Sequence, residues 1–190
     1  MQRTRLADVV CSLARTMDVI GEWWTPLILR DLLIGVTRFE DLRRDLGIAS
    51  NVLADRLATL TKRGVVERRR YQANPARFEY ILTEKGRDLL PALAALLRWG
   101  DKWESGDKGP PALLVHQDCD KVTTPLVVCD HCHRELSADN VTAVAGPGGR
   151  GGSGTTMIAP ILAARAIAHG RRARNPGGAS PRRRSRSSRA

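Results

Sequence analysis

The sequence has no apolar run long enough to span a bilayer, and its opening MQRTRLADVVCSLARTMDVIG lacks the unbroken apolar core of a secretion signal. A cytoplasmic protein with no membrane partner is the simplest expectation. Cysteine is scarce, four residues in 190 with three clustered late, which suits metal ligands or thiol sensors better than a disulfide framework. Catalytic signatures are missing too. There is no nucleotide-binding glycine loop, no pair of carboxylates beside a plausible cleft and no nucleophile with a located base. The stretch GPGGRGG from Gly146 follows no strand and opens no convincing helix, so it reads as linker and no enzyme is expected. Acids are absent from residues 146–190, which hold 10 basic residues. Residues 1–105 hold 18 basic against 14 acidic residues, and 106–145 hold 3 against 6. Most of the net charge of +11 therefore sits in the tail, and the high pI alone does not assign nucleic acid to the globular part.

With 42% hydrophobic residues, the chain can bury one good core and a small second one. From about Asp8 to Gly21, Leu13, Met17 and Ile20 recur at helical spacing. Trp24–Ile34 is apolar almost all round, with Pro26 tolerable in the first turn, and is expected to be a buried spine. In Arg38–Leu46 the residues Phe39, Leu42 and Leu46 share a face. Gly47 can then supply a left-handed turn before Ile48 tucks inward. A fourth helix begins near Ala49 or Ser50, Ser50 being the better N-cap by chemistry. Its Leu53, Leu57 and Leu60 face inward, which leaves Asn51, Asp55, Ala58 and Lys62 pointing away.

Helix, short glycine turn and helix with a polar outer face form the pattern of a helix-turn-helix. Val65–Tyr71 then reads as a strand, Gln72–Ala76 as a turn and Arg77–Leu82 as a return strand, making a basic hairpin. The fold class expected is mainly α with a small β-hairpin (α+β), a winged helix-turn-helix. In such a domain the second helix reads base edges while the wing lies over a groove or the phosphate backbone. The candidate DNA contacts are Arg38, Ser50, Asn51, Ala54, Asp55, Arg56, Lys62, Arg68, Arg69, Arg70, Asn74 and Arg77. Thr83 is a plausible N-cap for a last long helix whose apolar stripe is too broad for one small domain to cover. Leu89, Leu93, Leu96, Leu97, Trp99 and Trp103 on that stripe are expected to pair with a second copy, giving a homodimer that reads two half-sites of double-stranded DNA.

These residues resemble the HxlR-type bacterial transcriptional regulators, a branch of the winged helix-turn-helix proteins. The matching pieces are Cys11, Trp24-Thr25 with Leu27–Leu32, Arg38-Phe39 with Leu42, Val52-Leu53 with Arg56-Leu57, Gly64–Arg68, and Tyr80 with Leu82–Gly86, covering roughly residues 9–104. The resemblance implies a homodimer held by the first and last helices. It also implies binding to an operator near a promoter to repress or activate a nearby gene, a repressor being expected here, and hence a cytoplasmic, nucleoid-associated protein. The family often has Ser-Pro-Lys where this chain has Ala49-Ser50-Asn51, and Asp55 sets an acid toward the DNA, where it would accept from a cytosine amino group or repel phosphate. The rival reading is a zinc-stabilised winged-helix module that binds protein and no operator.

Cys11 falls at or near the start of the first helix, where the free N–H groups favour a thiolate. The resemblance implies redox sensing through a cysteine in this position; the alternative is a small buried hydrophobe. After a linker at Gly106–Pro111, His116-x2-Cys119 and Cys129-x2-Cys132 make two knuckles, with Val122–Val128 as the β-rich second half of a hairpin between them. This is a zinc-ribbon-like pattern for a structural Zn2+, although His131 or His133 could replace His116 and neither knuckle has the glycine usual after its second ligand. The expected organisation is residues 1–105 as winged helix-turn-helix and dimerisation domain, 106–145 as linker and zinc-binding extension, and 146–190 as a disordered Gly/Arg/Ser-rich basic tail. Within that tail a helix is expected around Ile161–Ala168.

Overall fold

The computed structural model describes residues 6–174, which divide into two compact units. One spans Arg15–Ser137; the other joins residues up to Ala14 with those from Ala138 onward.

In the first unit the spine is helix α2 (Trp24–Ile34), whose Ile28 and Leu29 are wholly buried. Helix α1 (Ser12–Ile20) brings Ile20 into the core, and α3 (Phe39–Leu46) brings Leu42. Helix α4 (Ser50–Lys62) adds Leu53, Leu57 and Leu60. Three leucines fully removed from water on α4 contribute roughly 1.5–3 kcal/mol each, so this apolar face fixes how the helix is presented. Gly35 and Gly47 end α2 and α3 in the left-handed conformation, at φ 104° and 61°. The N–H of Gly35 caps the carbonyls of Asp31 and Leu32.

The N-terminus of α4 differs from expectation. Ile48 is buried, Ala49 is the last extended residue (φ −65°, ψ 139°), and Ser50 is already helical. Ala49 is therefore the N-cap and the Ser50 hydroxyl faces outward. Helix α1 also starts later than its periodicity predicts. Leu6–Asp8 form a single 3₁₀ turn, and the Cys11 N–H bonds back to the Val9 carbonyl at 2.8 Å before Ser12 opens the helix.

Strands β1 (Val66–Gln72) and β2 (Arg77–Leu82) pair antiparallel, Val66 opposite Leu82 and Arg69 opposite Glu79, with an irregularity between Arg70 and Gln72. Val65, Val66 and Leu82 anchor the hairpin in the core. The Thr37 carbonyl accepts from Tyr80 N–H at 2.8 Å and Arg38 bridges Glu79, which ties the start of α3 to the wing.

Thr83 caps as expected, its hydroxyl accepting from Gly86 N–H at 3.2 Å. Gly86 is required by close approach, since a Cβ there would lie 2.2 Å from the Val65 carbonyl oxygen. The single long helix expected after Thr83 is two helices, α5 (Glu84–Arg87) and α6 (Leu90–Trp103). Pro91 explains the break. Within a continuous helix its ring would meet the carbonyl of Arg87, whereas in the first turn of α6 it is tolerated.

Beyond α6, β3 (Leu114–His116) pairs with β4 (Lys121–Thr123), and a second small hairpin is closed by the bridge Val128↔Glu135. The strand expected over Val122–Val128 stops at Thr123, two residues before Pro125, which has no N–H to give a ladder.

The second unit contains α7 (Ile158–Arg174). The tail from Gly146 is thus more ordered than its composition suggests, and its helix exceeds the expected Ile161–Ala168. Thr155 is buried before α7, and the Ala145 N–H reaches the Leu162 carbonyl at 3.1 Å. The remainder of the expected disordered tail, residues 175–190, lies outside the described residues. Among the described residues no helix is long and apolar enough to cross a membrane.

Candidate nucleic-acid interface

Once its three leucines are buried, α4 turns Ser50, Asn51, Ala54, Asp55, Ala58 and Lys62 to solvent. The face is small and polar at its leading end and basic at its last turn. It has the dimensions and donor chemistry to enter a major groove.

Arg56 does not share that face. It is only 20% exposed, and its guanidinium donates to Asp55 at 2.5 Å and reaches Glu22 at 3.5 Å. It braces α4 against the entry to α2 instead of projecting from the helix. Asp55 is engaged by this neighbour, so its charge is partly offset before any base or phosphate approaches. Arg63, at the end of α4, is held by Asp18 at 2.7 Å.

The wing arginines divide into three roles. Arg69 lies opposite Glu79, its Nε and Nη2 both reaching Glu79 Oε1, at 2.9 and 2.8 Å, while the Thr37 hydroxyl donates to Oε2 at 3.4 Å. Arg70 donates to the Gln72 and Ala73 carbonyls at 3.2 and 2.6 Å, closing the wing turn. Arg68 stacks over Phe78 with its guanidinium carbon 3.6 Å from the ring centroid, which holds the cation at the surface. Arg38 sits over Tyr71 at 4.9 Å. Gln72 closes the turn from the other side through the Asn74 carbonyl, at 2.9 Å, while Arg77 is exposed. Arg38, Phe39, Glu40, Asp41, Tyr71, Arg77 and Phe78 line a concavity of about 440 Å3 between the start of α3 and the wing. Seven basic side chains are expected on the DNA from the sequence. The structure leaves Arg38, Lys62, Arg68 and Arg77 outward and engages Arg56, Arg69 and Arg70 within the protein.

The residues expected at a dimer interface separate in the same way. Leu89 and Leu93 pack against the protomer's own core. Leu96, Trp99 and Trp103, three and four residues apart along α6, are 59%, 58% and 62% exposed, and Leu97 is 36% exposed. Leu90, which belongs to the same apolar stripe but not to the residues expected at the interface, is 46% exposed at the start of α6.

Cys11 is partly buried immediately before α1. In the extension, His116 Nδ1 lies 3.3 Å from Cys119 Sγ. The Cys132 thiol is lowered to about 7, first because the Arg134 backbone N–H donates to the sulfur, then through the Arg134 side chain and Cys129. Among the described residues no group of three or more His, Cys, Asp and Glu side chains is assembled as a metal would hold them, so the two knuckles stand as separate pairs.

The HxlR-like helix-turn-helix family matches residues 19–108, the segment that carries α2 to α6. The HTH-type transcriptional regulator Rv3095 of Mycobacterium tuberculosis is 44% identical over 137 residues, 72% of this chain and 87% of its own length. YvaP of Bacillus subtilis, another HTH-type transcriptional regulator, is 36% identical over 90 residues, 47% of this chain and 83% of its own. The crystal structure of PA1607, a candidate transcription factor, superposes with a TM-score of 0.68 at 34% identity, covering 75% of this chain and all of that one. PA1374 from Pseudomonas aeruginosa follows at 0.51 and 34% identity, covering 72% and 93%. The described helix-turn-helix with its hairpin, the family match and a relative this similar over most of its length agree: the chain belongs to the HxlR-like helix-turn-helix family of DNA-binding transcriptional regulators.

Proposed function

We propose that the protein binds an operator as a two-fold homodimer and represses a nearby gene by occupying its promoter. The observation that carries this reading is the outward polar face of α4 set on three buried leucines. Asn51 is the residue best suited to pair with an adenine edge, and Lys62 and Arg68 to meet phosphates. The concavity between α3 and the wing, with Arg38 and Arg77 on its lining, suits a backbone phosphate, its attraction moderated by Glu40 and Asp41. The exposed Leu96–Trp99–Trp103 stripe is a surface for a second copy, which would present two α4 helices to half-sites about one turn, ~34–36 Å, apart.

The test is protection mapping on the DNA upstream of the protein's own gene and its neighbour. The expected result is one protected palindromic site with half-sites one turn apart, lost in Asn51→Ala, and a reporter downstream of it that rises when the protein is removed. No protection at moderate salt, with recovery of a defined protein partner instead, would favour the protein-interaction module.

A further inference from the structure

We infer that His116, Cys119, Cys129 and Cys132 form a structural zinc site that joins the two small hairpins of the extension. In each knuckle two potential ligands separated by two residues sit at a hairpin turn. His116 ends β3 and Cys119 lies in the turn to β4, while Cys129 follows Val128 of the bridge and Cys132 lies in the turn to Glu135. Each turn is closed by a backbone bond, over three residues from Cys119 N–H to the His116 carbonyl at 3.3 Å and over four from His133 N–H to the Cys129 carbonyl at 2.8 Å.

The residue after the second ligand is where each knuckle declares itself. Asp120 (φ 51°) and His133 (φ 55°) are the non-glycine residues at positive φ among those described, and they follow Cys119 and Cys132 directly. A zinc knuckle turns its backbone at that point so that following N–H groups face the sulfur. Glycine commonly serves there, but Asp and His are among the side chains that tolerate the left-handed region. The two positions missing a glycine in the sequence thus have the conformation that a glycine would supply. At Cys132 the consequence is visible, because the Arg134 N–H donates to the sulfur. Such N–H donors are the outer partners that orient a metal-bound thiolate.

The ligand chemistry fits zinc. The His116 Nδ1–Cys119 Sγ separation of 3.3 Å is close to the edge of about 3.6 Å that tetrahedral coordination gives with its usual Zn–N and Zn–S lengths. One neutral imidazole and three thiolates around Zn2+ leave a net charge of −1, and the Arg134 side chain lies beside Cys132 to offset it. Four protein ligands leave no position for water, so the site is structural. His116 is favoured over His131 and His133 because it already pairs with Cys119, whereas His131 lies between two ligands and His133 occupies the left-handed turn.

The extension also needs such a staple. Not one described residue of 106–137 is buried, and Leu113, Val115, Val122, Leu126 and Val127 are all more than half exposed. A segment this small does not hold itself together by burial. One link to α6 is the ion pair Arg98–Glu135 at 2.8 Å, whose side chains are 39% and 48% exposed and which contributes at most about 1 kcal/mol; the other is an open cavity of about 330 Å3 lined by Leu97 of α6 and by Leu113 and Val122 of the extension. The link from Thr124 to Val128 is five residues, at most about 17 Å when extended, which tethers the two pairs within that reach of each other.

The test uses the full chain purified under reducing conditions. Elemental analysis is expected to find one zinc per chain. Replacing that zinc with cobalt should give the visible bands of tetrahedral Co2+ with thiolate charge transfer. Both should be retained in Cys11→Ser, and lost or strongly reduced in Cys119→Ser and in Cys132→Ser while the helical circular dichroism of the winged domain persists. Zinc near zero in the wild-type chain would overturn the proposal, as would cobalt bands unaffected by loss of either knuckle. Bands that survive His116→Ala but vanish in His133→Ala would overturn the assigned ligand set.

Discussion

Asp31 shows at the level of one residue what a sequence pattern conceals. Helical periodicity places it in a run so apolar that the helix had to be buried, yet its own burial cannot be read from its type, since aspartate is usually solvated. The side chain is 3% exposed; one oxygen accepts from Arg30 Nε and Nη2 at 2.8 and 2.6 Å, and the other has no partner among the described residues. Burial first, and then the neighbouring Asp45 carboxyl, push its carboxyl above the ordinary value, against the pull of Arg30. Because the folded value is raised, the folded state binds the proton more tightly than the unfolded chain does. The stabilisation from this group is complete below about pH 3.8 and is lost as pH rises through the folded value. Asp31→Asn cannot ionise. The stability of wild type minus that of Asp31→Asn, from urea unfolding along a pH series, should therefore fall as pH rises from the acid end; a difference that rises or stays level contradicts the burial account. Arg56 teaches a related lesson. The face of a helix could be assigned from Leu53, Leu57 and Leu60, but a long side chain at its margin can fold either way, and only Glu22, brought close in space, decides that it turns inward.

At the scale of the element, the wing was legible as a basic hairpin and its distribution of charge was not. The alternation in Val66–Gln72 fixes which side chains share a face, but the register that sets Arg69 against Glu79 depends on the irregularity next to the turn. Two neighbouring arginines should consequently behave differently. Arg68→Ala removes an outward cation and should reduce the slope of log affinity against log salt by about 1 per half-site, weakening specific and non-specific DNA alike. Arg69→Ala removes a cation already matched by a carboxylate and should change that slope much less. Fluorescence anisotropy across a salt series separates the two, and equal slopes for both variants would mean that the Arg69–Glu79 pair opens on DNA. The same limit governed α5 and α6. The leucine stripe predicted one helix, while Pro91, visible from the start, was outweighed by the apolar pattern although its missing N–H and ring made the break.

At the scale of the molecule, the apolar residues of α6 divide between the protomer's own core and an exposed stripe. Leu89 and Leu93 belong to the core, so truncating them opens space inside the fold. Leu96, Trp99 and Trp103 are each more than half exposed among the described residues, and they form the surface proposed above for a second copy. The two sets make opposite predictions for the same helix. Leu93→Ala should lower the unfolding free energy by roughly 2 kcal/mol while sedimentation still reports a dimer. Leu96→Asp with Trp99→Asp should leave the protomer's helical signal intact, yield a monomer in sedimentation, and weaken binding to a two-half-site operator far more than to a single half-site. The half-site comparison carries the argument, because it separates loss of the second copy from damage to α4. A double variant that sediments as a dimer would move the contact off α6, and a monomer that binds the full operator as tightly as wild type would separate recognition from dimerisation.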